Sequence, residues 1–253
     1  MQFLKTPRQN KEVIGMEKKV FEREEKKYLI TQSQYTSLMR AVQGWMQADA
    51  YGISTVCSLY FDTPDYHFIR SSIEKTNYKE KLRLRSYGRV GPEDTVFLEL
   101  KKKFDGVVYK RRAVMSLREA GVFLQGGHND NTGPVLQEIR WLLGNYDLKP
   151  AVFIAYDRTA LCGAETPGLR VTFDADLRWR GADFYLSHET YGAPLLEQGR
   201  MVMEIKALGA MPVWLSRVLS EQKIFPCSFS KYGTCYKNCL CPQAKQRGVF
   251  RCA

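Results

Sequence analysis

Histidine is scarce in this chain, three among 253 residues. His67, His128 and His188 are scattered and match no catalytic pattern, so the chain offers no histidine-based nucleophile triad. Long apolar runs are also missing. No stretch approaches the ~18 consecutive apolar residues a membrane-spanning helix requires. Met1 to Lys19 lacks the apolar block of a signal peptide. The protein is therefore expected to be cytoplasmic, peripheral to a membrane only through another protein. Internal repeats and low-complexity linkers are absent, which argues for one main domain. Gly126-Gly127 lacks the lysine context of a Walker phosphate loop and reads as a turn. Of seven cysteines, the run Cys235-x3-Cys239-x-Cys241 has no standard zinc spacing. Cys57 and Cys162 lie in apolar stretches and read as reduced core residues. The five from Cys227 onward read as an exposed, thiol-rich C-terminal segment.

What is plentiful is positive charge. Lysine and arginine number 38 against 27 acidic residues, a formal charge of +11. Such a surplus points to a polyanionic partner: nucleic acid, anionic membrane or phosphates. The 44% hydrophobic and 26% charged content is that of an ordinary globular domain. Position must choose among the partners.

Helices are legible from caps and period. Thr31 to Gln34 forms a capping box, followed by Tyr35, Leu38, Met39, Val42, Trp45 and Met46 at helical spacing. Ser116 and Glu119 make a second box, opening a helix to about Leu124. After a polar loop over 126–133, Pro134 suits a first helical turn, with Val135, Ile139, Leu142 and Leu143 on one side. Pro212 starts another helix with Trp214, Leu215, Val218 and Leu219. Strands are expected at about 19–30, 55–62, 79–88, 95–104, 107–116, 151–160, 169–177 and 200–206. Eight strands with mostly short connections predict an α+β protein, an antiparallel β-barrel tunnel with peripheral helices.

Alternation then sorts the side chains, because residues two apart on a strand share a face. Lys81, Arg83 and Arg85 oppose Leu82 and Leu84. Glu99, Lys101 and Lys103 oppose Leu98 and Leu100. Arg23, Glu25 and Lys27 are co-facial, as are Tyr156 and Arg158. Arg170, Thr172 and Asp174 oppose Val171 and Phe173; Glu204 and Lys206 oppose Met203 and Ile205. One such strand is merely a wet face. Together these faces are dominated by arginine and lysine, with a lone glutamate on several. If they point inward, the crowded cations need an anion, and guanidinium matches phosphate in a bidentate fork. The few carboxylates suit a hard divalent cation bridging phosphate oxygens, Mn²⁺ or Mg²⁺. Leucine, not a base-stacking aromatic, alternates with the charges of Lys81–Arg85, which argues against nucleic acid. Glu99 can equally pair with Lys101 or Arg85, and Asp174, a candidate second metal ligand, with Arg170 or Arg158. Tyr60 and Phe61 read as core.

Nine segments in order carry a family resemblance from about Phe21 to Tyr236: Glu25-Lys26-Lys27-Tyr28; Ser58 to Thr63 followed by Arg70; Lys81 to Gly88; Phe97 to Lys101; Tyr109 to Arg112; Tyr156 to Thr159; Leu169 to Asp174; Met203 to Lys206; and Ser230 to Gly233. The chain resembles the polyphosphate polymerase (VTC) domain, a branch of the triphosphate tunnel metalloenzymes related to CYTH proteins. The resemblance implies a tunnel domain over 18–240, with a flexible arm at 1–17 and a Cys-containing tail at 241–253. It implies ATP and inorganic polyphosphate as substrates, the ATP γ-phosphate passing to a growing chain with release of ADP. By position, it places Lys27 beside the transferred phosphate, and Arg70, Arg83, Arg85, Lys101 and Lys110 along the wall, with Lys27, Arg83 and Arg85 as the catalytic set. Tyr156, Arg158 and Arg170 would complete the nucleotide-phosphate site, Ser230 and Lys231 would contact phosphate, and Glu204 would bind metal, with Glu25 and Glu99 as further candidates. Two other functions stay open. A metal-dependent tripolyphosphatase of the same superfamily would begin E-x-E-x-K, where this chain has Arg23-x-Glu25-x-Lys27. A non-catalytic polyphosphate binder would show the same charge pattern.

Overall fold

The computed structural model describes residues 23–74, 76–127 and 133–241. The described chain runs β1 (Arg23–Thr31), α1 (Gln32–Ala41), β2 (Met46–Asp62), α2 (His67–Ile73), β3 (Tyr78–Tyr87), β4 (Thr95–Phe104) and β5 (Val107–Ser116). Next come α3 (Leu117–Leu124), α4 (Pro134–Asn145), β6 (Lys149–Gly163), β7 (Arg170–Arg180), the short β8 (Ala193–Pro194) and β9 (Arg200–Leu208). Helices α5 (Val213–Glu221) and α6 (Lys231–Cys235) follow, the last running into a π-helical turn, Tyr236–Leu240. The expected arm at 1–17, the first residues of the expected first strand, most of the 126–133 loop and the tail beyond Cys241 lie outside the described residues.

Both capping boxes form. The Thr31 hydroxyl accepts from the Gln34 amide, and the Gln34 side chain accepts from the Thr31 amide. Ser116 and Glu119 repeat the arrangement at α3. Helix α1 stops at Ala41, short of the expected Met46. Gly44 takes a left-handed φ of 84°, a conformation open to glycine, and the chain turns there, so Met46 opens β2 instead.

All strand pairs are antiparallel, in the order β1-β9-β7-β6-β2-β3-β4-β5, with β8 beside β7. The expected antiparallel tunnel architecture with peripheral helices is the one observed, with one difference. Among the described residues no ladder joins the end strands β1 and β5, so the sheet curls without closing.

The two faces of the sheet are chemically opposite. On the outer face, Leu59, Leu82, Leu84, Leu98, Leu100 and Phe153 pack under α3 and α4, against Phe123, Leu136 and Ile139. Also outside, Ile30, Val171, Phe173, Met203 and Ile205 pack under α1 and α5, against Leu38, Leu215 and Leu219. A third cluster occupies part of the inner face, where Val56, Ile154, Tyr156 and Val202 meet Tyr232, Cys235, Tyr236 and Leu240. This last packing corrects one expectation: the Cys235–Cys241 run is not an exposed thiol segment but a helix seated on the sheet, with Cys235 buried. Its two turns carry Tyr232, Cys235, Tyr236 and Leu240 at helical spacing, an apolar stripe hidden by the eye-catching thiols. Cys57 is buried as expected, whereas Cys162 is only half-buried, its thiol donating to the Gln47 carbonyl. No described helix is long and apolar enough to cross a membrane.

Candidate active site

With leucines of β3 and β4 committed to the outer core, Lys81, Arg83, Arg85, Glu99 and Lys101 must face inward. Cross-strand register stacks them: Lys81 opposite Lys101, Arg83 opposite Glu99, and in turn Glu99 opposite Arg112 and Lys101 opposite Lys110. Glu99 is the counter-ion of this wall. Its carboxylate, 1% exposed, receives Arg83 at 2.7 Å, Lys110 at 3.2 Å and Arg85 at 3.8 Å, together with Arg112. Burial alone would raise the Glu99 carboxyl, but Arg83, Arg85, Lys110 and Arg112 hold it well below the usual carboxylate range.

Two phenols fix the arginines. The Tyr60 hydroxyl accepts from Arg83 at 3.2 Å, and the Tyr156 hydroxyl accepts from Arg85 at 3.4 Å. Burial pushes the Tyr60 phenol up, yet Arg83, Arg85 and Lys81 outweigh it and bring it below its ordinary value. Tyr60 is buried as expected, but it belongs to the site as well as the core.

The opposite wall is built by β1, β9, β7 and β6. Arg158 grips Asp174 with two parallel bonds of 2.6 and 2.8 Å. Lys231 bonds the same carboxylate, lies 3.5 Å from Glu204, and sits over the Tyr156 ring. Asp174 is thus the salt-bridge partner of Arg158. Lys27 lies 3.7 Å from both Glu25 and Glu204, and Lys206 lies within 4.0 Å of both. Burial opposes ionisation of Glu204, but Lys231, Lys27, Arg158 and Lys206 pull its carboxyl down to about 2.

Residues 226–232 run as a strap across the inner face. The Cys227 amide donates to the Lys27 carbonyl, and the Lys27 ammonium donates to the Phe229 carbonyl. Ser230 accepts from Lys81 at 3.2 Å, and Tyr232 donates to Asp62 at 2.8 Å. The walls face each other across the channel: Lys101 of β4 is close enough to Lys27, Glu25 and Glu204 for their charges to perturb it, although β4 and β1 are distant in sheet order.

A family model described as the VTC domain matches residues 22–240. The chain belongs to the VTC domain family. Two curated relatives share 26% identity with it, both named vacuolar transporter chaperone complex subunit 4. That of Trypanosoma cruzi aligns over 221 residues, 71% of this chain and 27% of its own. That of Trypanosoma brucei brucei aligns over 188 residues, 60% of this chain and 24% of its own. The chain therefore spans about a quarter of the length of these relatives. Among solved structures, a candidate adenylate cyclase of Bacillus halodurans has a TM-score of 0.50 at 16% identity, covering 82% of this chain and 95% of its own. A candidate adenylyl cyclase of Hippeastrum, described as having a dominant triphosphatase activity, has a TM-score of 0.50 at 15% identity, covering 82% and 92%. At these identities the likeness is one of fold.

Within the VTC domain, most of the expected site residues meet. Lys27, Arg83, Arg85, Lys101, Lys110, Tyr156, Arg158, Glu204, Ser230 and Lys231 all lie on the inner face or the strap. Arg170 shares that face, opposite Lys206, and pairs with Asp49 at 2.7 Å. Arg70, on α2, pairs with Asp65 at 2.6 Å. Four cations crowd the oxygens of Glu99. Glu25 and Glu204 could supply the one or two carboxylates that a magnesium-type site uses beside phosphate oxygens, although Glu204 too has lysines within 4.0 Å. No group of three or more potential protein ligands assembles among the described residues, so phosphate oxygens or water must complete such a site. Missed as site residues were Tyr60, Arg112 and Lys206. Alternation marked Lys206, and cross-strand pairing with Glu99 could have found Arg112.

Proposed function

We propose that this VTC domain transfers the γ-phosphoryl group of ATP to the end of an inorganic polyphosphate chain. The observation that carries the reading is the convergence of cations from β1, β3, β4, β5, β6 and β9 on one concave face, where they outnumber the carboxylates they lean on, Glu25, Glu99, Asp174 and Glu204. Phosphoryl transfer asks chiefly for alignment and charge neutralisation. A terminal oxygen of the acceptor chain attacks the γ-phosphorus as the bond to the β–γ bridging oxygen breaks, and ADP leaves. The acceptor is the nucleophile, so no serine, cysteine or histidine nucleophile is required. Arg83 and Arg85, held by Glu99 and by the Tyr60 and Tyr156 hydroxyls, offer fixed guanidinium faces to the phosphates. Lys27 and Lys231 supply ammonium charge from the other wall. A divalent cation, Mn²⁺ or Mg²⁺, held by Glu204 with Glu25, would neutralise phosphate oxygens when bound.

The test is to incubate the purified protein with ATP and Mn²⁺ and stain a gel for polyphosphate. Chain growth with ADP release is expected, and Arg83→Ala should lower it at least about a hundredfold while the thermal transition persists. The paired carboxylates Glu25 and Glu204 also suit a tripolyphosphatase. Phosphate release from tripolyphosphate plus metal, without chain growth from ATP, would establish that activity instead.

A further inference from the structure

The two end strands of the sheet are finished differently. β1 is covered: Tyr28 forms an antiparallel bridge with Pro226, and the Cys227 amide donates to the Lys27 carbonyl. β5 is bare. Among the described residues it pairs with β4 alone, from Val107 to Ser116 without a break in register. Its other edge therefore presents a row of backbone N–H and C=O groups with no ladder partner among the described residues. Neither proline nor bulge interrupts it, and a long, even, unprotected edge is a template for another strand.

The side chains say what kind of strand fits. Val107, Val108, Tyr109 and Val114 are large apolar groups left exposed. Between them stand Lys110, Arg111 and Arg112, each with about a third to a half of its side chain exposed although it already meets a carboxylate, Glu99 or Glu138. The edge thus runs apolar, cationic, apolar. A second copy fits it poorly. Antiparallel pairing over the full strand sets Arg111 against Arg112 of the other copy, and like charges directly opposite destabilise a sheet. The chain's own ends fit no better: residues 1–22 hold five basic residues against three acidic, and residues 242–253 hold three basic and no acidic ones. What fits is a strand with carboxylates at its centre and β-branched or aromatic residues on either side.

We propose that the β5 edge docks an extended acidic segment of a partner protein, which adds to the sheet as a further strand. Main-chain hydrogen bonds to the bare edge hold it, and the cationic centre sets its register. The added strand lies at the open side of the channel, where β5 and β1 do not meet. The inference stands or falls without the phosphate chemistry proposed above.

The probe is a capped synthetic peptide with a central run of glutamates flanked by valines; the control has lysines in place of the glutamates. Hydrogen–deuterium exchange reads the β5 amides, and fluorescence anisotropy reads the affinity. The acidic peptide is expected to protect amides within 107–116, and the lysine peptide to leave them unchanged. Arg111→Glu should weaken the acidic peptide at least about tenfold. Neighbouring amides of a strand point to opposite edges. Of Val108→Pro and Tyr109→Pro, one therefore removes an outward N–H and the other a ladder bond to β4. The variant that keeps the wild-type thermal midpoint should lose peptide binding; if both lower the midpoint, Arg111→Glu alone decides. Protection by both peptides alike, or by neither, overturns the proposal. So does a β5 edge already protected in the free protein, whether in a dimer, where a second copy covers it, or in a monomer that loses the protection on deletion of residues 1–22.

Discussion

Glu99 and Lys81 sit on neighbouring strands of the same wall and answer burial in opposite ways. Glu99 is surrounded by four cations and stays ionised; Lys81 meets a hydroxyl and its neighbours' positive charge. Removing the Glu99 charge should therefore be costly. Glu99→Gln leaves Arg83, Arg85, Lys110 and Arg112 facing one another, and breaking a buried ion pair on one side typically costs about 3–5 kcal/mol. Urea unfolding at pH 7 should show a loss of that order, partly restored by saturating tripolyphosphate. The same group sets a pH dependence. Its folded carboxyl lies below its unfolded value of 4.5, so its stabilisation is complete above that pH and is lost as pH falls toward the folded value. The acid limb of the stability curve should flatten in Glu99→Gln. Lys81 behaves inversely. Burial, then the charges of Lys101, Lys27 and Arg83, bring its ammonium down to about 8, so it is charged at pH 7 and loses charge as pH rises through that value. A bound anion restores the proton. Tripolyphosphate affinity should fall about fivefold between pH 7 and 9 beyond any change in the ligand. Lys81→Arg, which keeps its charge, should abolish the drop; an unchanged pH profile in that variant would remove Lys81 from the site.

Elements were legible where period and caps agree, and illegible where one side chain does the work of a motif. Strands β3, β4 and β9 follow from two-residue alternation, and α1 and α3 from their capping boxes. Helix α2 was hidden because Asp62-Thr63-Pro64-Asp65 reads as a turn. In the fold Asp62 reaches past that turn, accepting from the Thr63, Phe68 and Ile69 amides, and so anchors the helix start from the end of β2. Helix α6 was hidden because it is short and contains Gly233. The charged wall was readable because β3 and β4 alternate lysine or arginine with leucine; the strap was not, because its contacts span most of the chain. Asp62 also receives the Tyr232 hydroxyl, tying α2 to the segment that delivers Ser230 and Lys231. Tyr232→Phe keeps the ring stacked on Tyr60 and removes only this tie. It should cost about 1–2 kcal/mol and weaken tripolyphosphate binding several-fold, with Arg158 and Asp174 left in place. A variant with lowered stability and wild-type affinity would mean that Tyr232 supports the fold without aligning the strap.

At the scale of the molecule, an open antiparallel sheet wraps a channel whose cations exceed its acids, in a chain of net charge +11. The outer face supplies two conventional apolar cores, while the inner face concentrates repulsion. Closure of the expected barrel could not be judged from alternation, which assigns faces but not which strand edges meet. The observed gap between β1 and β5 leaves the strap to hold the inner walls together, through Lys27, Lys81, Asp174 and Asp62. On the function proposed above, such a channel should be stabilised strongly by a bound polyanion. A ligand binding only the folded state at about a hundred times its Kd contributes about 2.7 kcal/mol. For a domain of this size, each kcal/mol moves the midpoint by roughly 2–4 °C, so tripolyphosphate at that concentration should raise Tm by about 5–10 °C. The shift should shrink in high salt, because screening both relieves the internal repulsion and weakens the ligand's attraction. Sodium chloride at matched ionic strength gives the control. Equal shifts with chloride and tripolyphosphate would show that only diffuse charge is being screened, and that the inner face does not form a phosphate site.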